Sequence, residues 1–204
     1  MKCFLLLLSC SFLIHNQGIS QTQDYKRPPA LGISFGLVDF TTAERIRSSS
    51  LVSVLNNKTV AKVSEMSPGI GITYFKGLRN NIDFAATLLG AFAKASVGGN
   101  TSDEFLLEGD ASVNLKMFSD QFFFTPYLSA GVGFNSFNKK KGAFIPLGGG
   151  LKFNIFNEAA LYITTQYRVP VTTETGGHHF VHGIGFAGII GKKREEAAAP
   201  PPLP

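Results

Sequence analysis

Between Asp103 and Met117 the polarity of the chain alternates with a period of two from end to end, and no other feature limits the possible folds so sharply. The even positions are Glu104, Leu106, Glu108, Asp110, Ser112, Asn114 and Lys116; the odd positions are Phe105, Leu107, Gly109, Ala111, Val113, Leu115 and Met117. A helix would smear these two sets around its circumference, whereas a strand puts one on each face. One face is then largely polar and the other apolar or small, as for a strand set between two unlike media.

The pattern recurs. In Phe122 to Asn135 the apolar face is Phe122, Phe124, Pro126, Leu128, Ala130, Val132 and Phe134, opposite Thr125, Tyr127, Ser129, Gly131, Gly133 and Asn135. In Ala159 to Pro170 the residues Ala159, Leu161, Ile163, Tyr167 and Val169 oppose Tyr162, Thr164, Gln166 and Arg168. Read in this way, the chain predicts eight strands, at about 30–38, 68–77, 81–94, 103–117, 122–136, 142–156, 159–170 and 180–190. Strands of soluble domains run to about five or six residues, while a tilted strand needs about 9–11 to cross a bilayer, and the expected lengths fall in the second range. After Ile14 no uncharged apolar run approaches the roughly 20 residues of a spanning helix.

The connections are expected to alternate in length. Long ones are Asp39 to Ser67, Ser96 to Ser102, Phe137 to Lys141 and Thr172 to His179; tight ones are Leu78-Arg79-Asn80, Ser119-Asp120-Gln121 and Asn157-Glu158. Longer loops at one end and short turns at the other are the habit of outer-membrane barrels. In the first connection, Thr41 to Ser67, residues Ala43, Ile46, Leu51, Val54 and Leu55 with Glu44, Arg45 and Arg47 fit a short helix, a reading weakened by Ser48-Ser49-Ser50; Asn57-Lys58 fits a turn. An irregular surface loop fits the same segment equally well.

The N-terminus carries Lys2, an apolar run from Cys3 to Ile14, and the small residues Gly18 and Ser20, the design of a secretory signal peptide cut after Ser20. A lipoprotein signal with Leu7-Leu8-Ser9 before Cys10 competes with it and would leave an unusually short apolar region. Both cysteines, Cys3 and Cys10, lie inside this segment. Beyond it, disulfides, thiolate zinc sites and cysteine nucleophiles are excluded. The expected organisation is signal peptide 1–20, lead-in 21–29, barrel 30–191 and tail 192–204. That tail, charged from Lys192 to Glu196 and then Ala- and Pro-rich to Pro204, cannot bury a core.

An eight-stranded meander of an exported chain is either a soluble barrel, apolar inside, or a membrane barrel, apolar outside. The expected polar face holds Asp83, Glu104, Glu108, Asp110, Lys116, Lys152 and Arg168, charges of both signs that can pair within a narrow lumen. The other face carries Phe84, Phe92, Phe105, Phe122, Phe124, Phe134, Phe153 and Phe186, in the manner of interfacial aromatic girdles. Composition supports the membrane version: only 16% of residues are charged, below the roughly 25% of soluble domains. The 22 glycines and 19 phenylalanines fit a tight lumen and a greasy exterior. Gly71, Gly131, Gly133, Gly148, Gly150, Gly183 and Gly185 fall on the polar face and are expected to make room for ion pairs.

The segments Met66 to Tyr74, Pro126 to Phe134, Ile145 to Phe153 and His182 to Phe186 carry glycine–aromatic strand patterns, and in them the sequence resembles the outer-membrane β-barrel domain of the OmpA-like superfamily, particularly Bacteroidetes-type forms. The resemblance covers about residues 28–191. It implies an all-β, eight-stranded antiparallel up-and-down transmembrane β-barrel. It also implies outer-membrane lipids, lipopolysaccharide and the barrel-assembly machinery as partners. Two-domain relatives continue through a Pro-rich linker into a peptidoglycan-binding domain; here Ala197 to Pro204 stands in the linker position, and a barrel without that domain is expected. The chain also departs from barrels that end on an aromatic residue.

Candidates for chemistry are few. His178, His179 and His182, with Glu174 nearby, could offer imidazoles to a metal or serve a lipid A-modifying enzyme, but the spacing fits no helix-based zinc motif. Glu104, Glu108 and Asp110 read better as lumenal partners of Lys116, Lys152 and Arg168 than as catalytic carboxylates. Lys139, Lys140 and Lys141, with His178 and His179, are candidates for external contact, for instance with lipopolysaccharide phosphates. Nucleic acid is not expected as a partner, since the net charge of +5 is small and the basic residues are not interleaved with aromatics. The sequence therefore leads to a non-enzymatic outer-membrane barrel with a structural or surface-interaction role, a side-chain-filled lumen, no cofactor and no metal. A lipid A-modifying enzyme and a small pore stand as alternatives, and the extracellular ligand is unassigned.

Overall fold

The structure, a computed structural model, describes residues 26–97, 100–137, 140–155, 158–172 and 177–190. The expected signal peptide, residues 21–25 of the lead-in, the tail, Lys139 and Glu174 lie outside the described residues. Eight antiparallel strands close into one barrel: β1 (Ala30–Asp39), β2 (Ser67–Arg79), β3 (Ile82–Val97), β4 (Asn100–Lys116), β5 (Phe124–Phe137), β6 (Lys140–Ile155), β7 (Ala159–Pro170) and β8 (His179–Ile189). Each strand pairs with its sequence neighbour, and β1 closes on β8 with Ala30 opposite Ile189 and Asp39 opposite Phe180. Closure gives every strand of the wall a neighbour on both sides, a condition that a bilayer imposes on any spanning sheet, and only the ends of the longer hairpins stand beyond it.

The two faces are inverted relative to a soluble barrel. Leu128 is 70% exposed, Val132 68%, Ile70 67% and Phe186 65%, whereas Asp83, Glu108 and Arg168 are 1% exposed. Apolar side chains cover the outside, with rings at both ends of the wall. Phe118 lies against Phe122, and Phe123 and Phe124 both lie against Phe153 near the turns. Phe92 pairs with Phe105 toward the opposite end. Among the described residues no helix is long and apolar enough to cross a membrane.

Three details differ from the sequence expectation. The segments expected as loops at Ser96–Ser102 and Phe137–Lys141 are mostly strand, because β3 and β4 stay paired as far as Val97 opposite Asn100, and β5 and β6 as far as Phe137 opposite Lys140. These hairpins run past the span a bilayer requires. Conversely, the turn between β4 and β5 is wide, because Asp120 folds inward rather than capping a tight reversal. Asymmetry between the two ends therefore rests on hairpin length and on the β1–β2 and β7–β8 connections, with the β2–β3 and β6–β7 turns as tight as expected.

The β1–β2 connection is ordered. Asp39 caps α1 (Phe40–Ser48), its carboxylate accepting from the Thr42 amide at 2.8 Å. The serine run then breaks the helix. The Ser48 and Ser49 hydroxyls donate back to the Arg45 carbonyl, while the Ser50 hydroxyl accepts from the Ser53 amide and starts α2 (Leu51–Asn56). Serine favours both roles because its hydroxyl competes with backbone partners. A left-handed Lys58 (φ 51°) ends α2, and a short 3-10 turn, Val63–Glu65, leads into β2. The excursion is stapled by the Ala61 amide donating to Thr42 Oγ1 at 2.9 Å and by Arg45 reaching the Thr59 carbonyl and Glu65.

Candidate functional site

The lumen is filled in layers. At the turn end, Lys116 Nζ lies 2.7 Å from Asp83 Oδ1 and 2.6 Å from Asp120 Oδ2, and Lys152 Nζ lies 2.6 Å from Asp83 Oδ2 and 3.5 Å from Asp120 Oδ1. Arg27, from the lead-in, donates to Asn154 Oδ1 at 2.6 Å and sits 3.9 Å from Asp120. The chain can cross here because Gly77 has no side chain: a Cβ would stand 2.5 Å from the Arg27 nitrogen, and the Gly77 amide donates to the Arg27 carbonyl instead. Burial would push the Asp120 carboxyl up, but the ammonium groups of Lys152 and Lys116 outweigh it and hold it below its ordinary value.

Above this layer, aromatic rings cross the barrel. Tyr162 lies where a Cβ on Gly32 or Gly185 would collide, Tyr127 against Gly150 and Phe144 against Gly133. Gly133, Gly150 and Gly185 therefore make room for rings rather than, as the sequence suggested, for ion pairs, whereas Gly131 and Gly148 allow the close approach of the neighbouring strand. Ser34, Thr73, Ser112, Asn114, Tyr127 and Tyr162 help line a cavity of about 40 Å³, room for a water or two and not for a channel.

The next layer joins Arg168 to Glu108 and, at 3.2 Å, to Asp110, with the guanidinium 4.8 Å from the Phe144 ring centre. His179 completes it, its Nε2 3.1 Å from Glu108 Oε1 and its Nδ1 2.9 Å from the Gly177 carbonyl oxygen. Beside it and toward the mouth the lumen turns apolar, with Val38, Leu89, Ala91, Ala93, Leu106 and Val181 packed together and covered by Phe40 of α1 and Phe137. Phe40 stands 4.7 Å from the His179 ring and 6.1 Å from that of Phe137.

Of the residues singled out in the sequence, Asp83, Lys116 and Lys152 meet at the turn end, and Glu108, Asp110 and Arg168 meet in the upper layer. Glu104 shares the lumenal face of β4, half-buried, nearer the mouth. Lys140 and Lys141 are exposed at the tip of the β5–β6 hairpin. His179, expected outside, is instead 1% exposed and lumenal, because the register of β8 points odd positions inward. The histidine trio accordingly does not converge. His178 stacks on Tyr167 with Nδ1 2.9 Å from its hydroxyl, and His182 approaches Thr165 Oγ1 at 3.1 Å. Among the described residues no group of three potential ligands is placed to hold a metal. Arg27, Asp120 and the apolar layer were not found from the sequence. Leu106, an aliphatic residue between Glu104 and Glu108, is a visible sign of the apolar layer alone.

Side chains and topology together define a closed, eight-stranded barrel with an apolar exterior and a polar, plugged lumen. No family model and no curated protein matches the sequence. Solved structures do match the fold. Neisserial surface protein A superposes with a TM-score of 0.58 at 12% identity, covering 81% of this chain and 99% of that one. The N-terminal barrel domain of Pseudomonas aeruginosa OprF gives 0.52 at 12% identity, covering 80% and 98%, and P. aeruginosa outer membrane protein OprG gives 0.51 at 11%, covering 80% and 96%. This chain therefore has the fold of small outer-membrane barrels.

Proposed function

We propose that the protein is a non-enzymatic outer-membrane barrel whose plugged lumen serves as a rigid frame for an ordered surface excursion, residues 40–66. The observation that carries this reading is the distribution of charge: the two ion-pair layers are buried inside while the wall is apolar. Buried charges are tolerated only when paired, and here they pair across strands inside the lumen. Outer-membrane fractionation and heat-modifiable gel migration test it. Co-fractionation with the outer membrane and faster migration without heating are expected, and recovery as a soluble protein with a ligand in its lumen would overturn the reading. With two ionic layers and an apolar one in series, planar-bilayer recordings are expected to show no steady conductance.

One observation favours a second reading. Thr165 and His182 form a hydroxyl–imidazole pair on the outward face, the minimal start of a nucleophile and its base. If this pair modifies lipid A, deletion of the protein changes the lipid A mass spectrum and Thr165→Val reproduces the change; identical spectra remove this reading.

A further inference from the structure

The β1–β2 excursion carries a surface that the barrel does not use. Leu51 (54% exposed), Val52 (66%) and Leu55 (57%) on α2, with Val60 (46%) and Val63 (68%) after it, stand in the open. Such a patch outside the lipid-facing wall marks a contact. Around it are Arg45, Arg47, Lys58 and Lys62 against Glu44 and Glu65, so the patch has a basic rim. Its place relative to the wall follows from α1. Phe40 is seated in the mouth and the helix packs on β8; burial lowers the His178 pKa, and the charge of Arg47 lowers it further. His178 stacks on Tyr167, which tilts against Phe180, which in turn stacks on His182. This aromatic ladder faces outward on β7 and β8 and continues the lipid-facing wall to the rim, the level at which aromatic residues mark a membrane interface.

We infer that residues 45–63 form an interfacial clamp that lays its aliphatic side chains into the outer headgroup region beside β8 and holds them there by contact of its basic rim with anionic lipid phosphates. Apolar side chains rimmed by Lys and Arg are the composition that binds such a surface, and each added charge complements it. This inference rests on the outer-membrane reading, so the test separates the two.

In a Cys3→Ser, Cys10→Ser background, an environment-sensitive fluorophore is attached singly to Val52→Cys, Leu128→Cys and Lys141→Cys, and the protein is placed in phosphatidylcholine vesicles with or without phosphatidylglycerol. Leu128 reports whether the wall meets lipid, Lys141 supplies the aqueous reference, and Val52 reports the clamp. The expected result is a blue shift at Val52 in the anionic vesicles, with quenching by a lipid-borne quencher and loss of quenching by iodide. Arg47→Gln with Lys58→Asn is expected to abolish that shift while leaving Leu128 unchanged. If Val52 behaves like Lys141 while Leu128 is quenched from the lipid, the clamp is wrong and the membrane reading stands. If Val52 is shielded from both quenchers, the patch meets protein and the inference also falls. If Leu128 itself is not quenched from the lipid, the membrane reading fails first.

Discussion

The two ionic layers of the lumen close the barrel in different ways. At the turn end, the cations Arg27, Lys116 and Lys152 surround the carboxylates Asp83 and Asp120, and each carboxylate touches more than one of them. The upper layer has a single guanidinium, Arg168, between Glu108 and Asp110, and draws on His179 and an apolar cover for the rest. The lower layer is built from strand ends, a turn and the lead-in, all fixed by the sheet. Closure above depends on Phe40, hence on an excursion that packs against the barrel from one side. A narrow barrel thus has a permanent plug at one end and a covered one at the other.

The sharpest test of this contrast removes the centre of the lower plug. Asp83→Ala leaves Lys116 and Lys152 to share Asp120 alone inside the lumen, and losing one partner of a buried ionic cluster costs about 3–5 kcal/mol. Denaturant unfolding from lipid vesicles measures it; a loss below about 1 kcal/mol would mean that water reaches this layer and that the contrast is false. Arg168→Met is expected to cost less, about 2–4 kcal/mol, because His179 remains on Glu108 and the mouth can admit water. Combining it with Phe40→Ala is expected to give less than the sum of the single losses, since an opened cover solvates the stranded carboxylates. Strict additivity would show that the cover does not seal the upper layer.

Between the layers, Gly150→Ala places a methyl 2.2 Å from the Ile163 carbonyl and 2.6 Å from the Tyr127 hydroxyl, and overpacking of this kind costs about 1–3 kcal/mol. Gly188→Ala, with nothing within 4 Å, is expected to stay within about 0.5 kcal/mol. The smallest effect is one of pH. Because Asp120 titrates below its ordinary value when folded, its stabilisation is present above the unfolded carboxyl pKa and is lost as pH falls through the lowered folded value. Unfolding midpoints followed into acid are expected to fall less steeply in Asp120→Asn than in the parent; parallel curves would take Asp120 out of the lower plug.

The strands were legible because a period of two survives any register, and the expected spans differ from β1–β8 only near their ends. The apolar outer face was legible too, since Glu108, Asp110 and Lys116 share one parity and Phe105, Val113 and Leu115 the other. What stayed hidden depends on side chains meeting across the barrel. Nothing local shows that Arg27, before the first strand, reaches Asn154, or that Asp120 folds in from a turn. His179 was misplaced because parity near a strand end is ambiguous until the pairing of β8 with β1 and β7 fixes it. In sequence the serine run weakens one helix; in the structure it ends one helix and begins another, because the same hydroxyl chemistry serves both purposes.

The central claim is that the barrel is apolar outside and ionic within, and spin labels scanned along β4 test it most directly. Labels at Phe105, Val113 and Leu115 are expected to collide with dissolved oxygen in the lipid and not with an aqueous nickel chelate, while labels at Ser112 and Asn114 show little access to either. High chelate access at Ser112 and Asn114 together with protection of Val113 and Leu115 would turn the faces around and contradict the account.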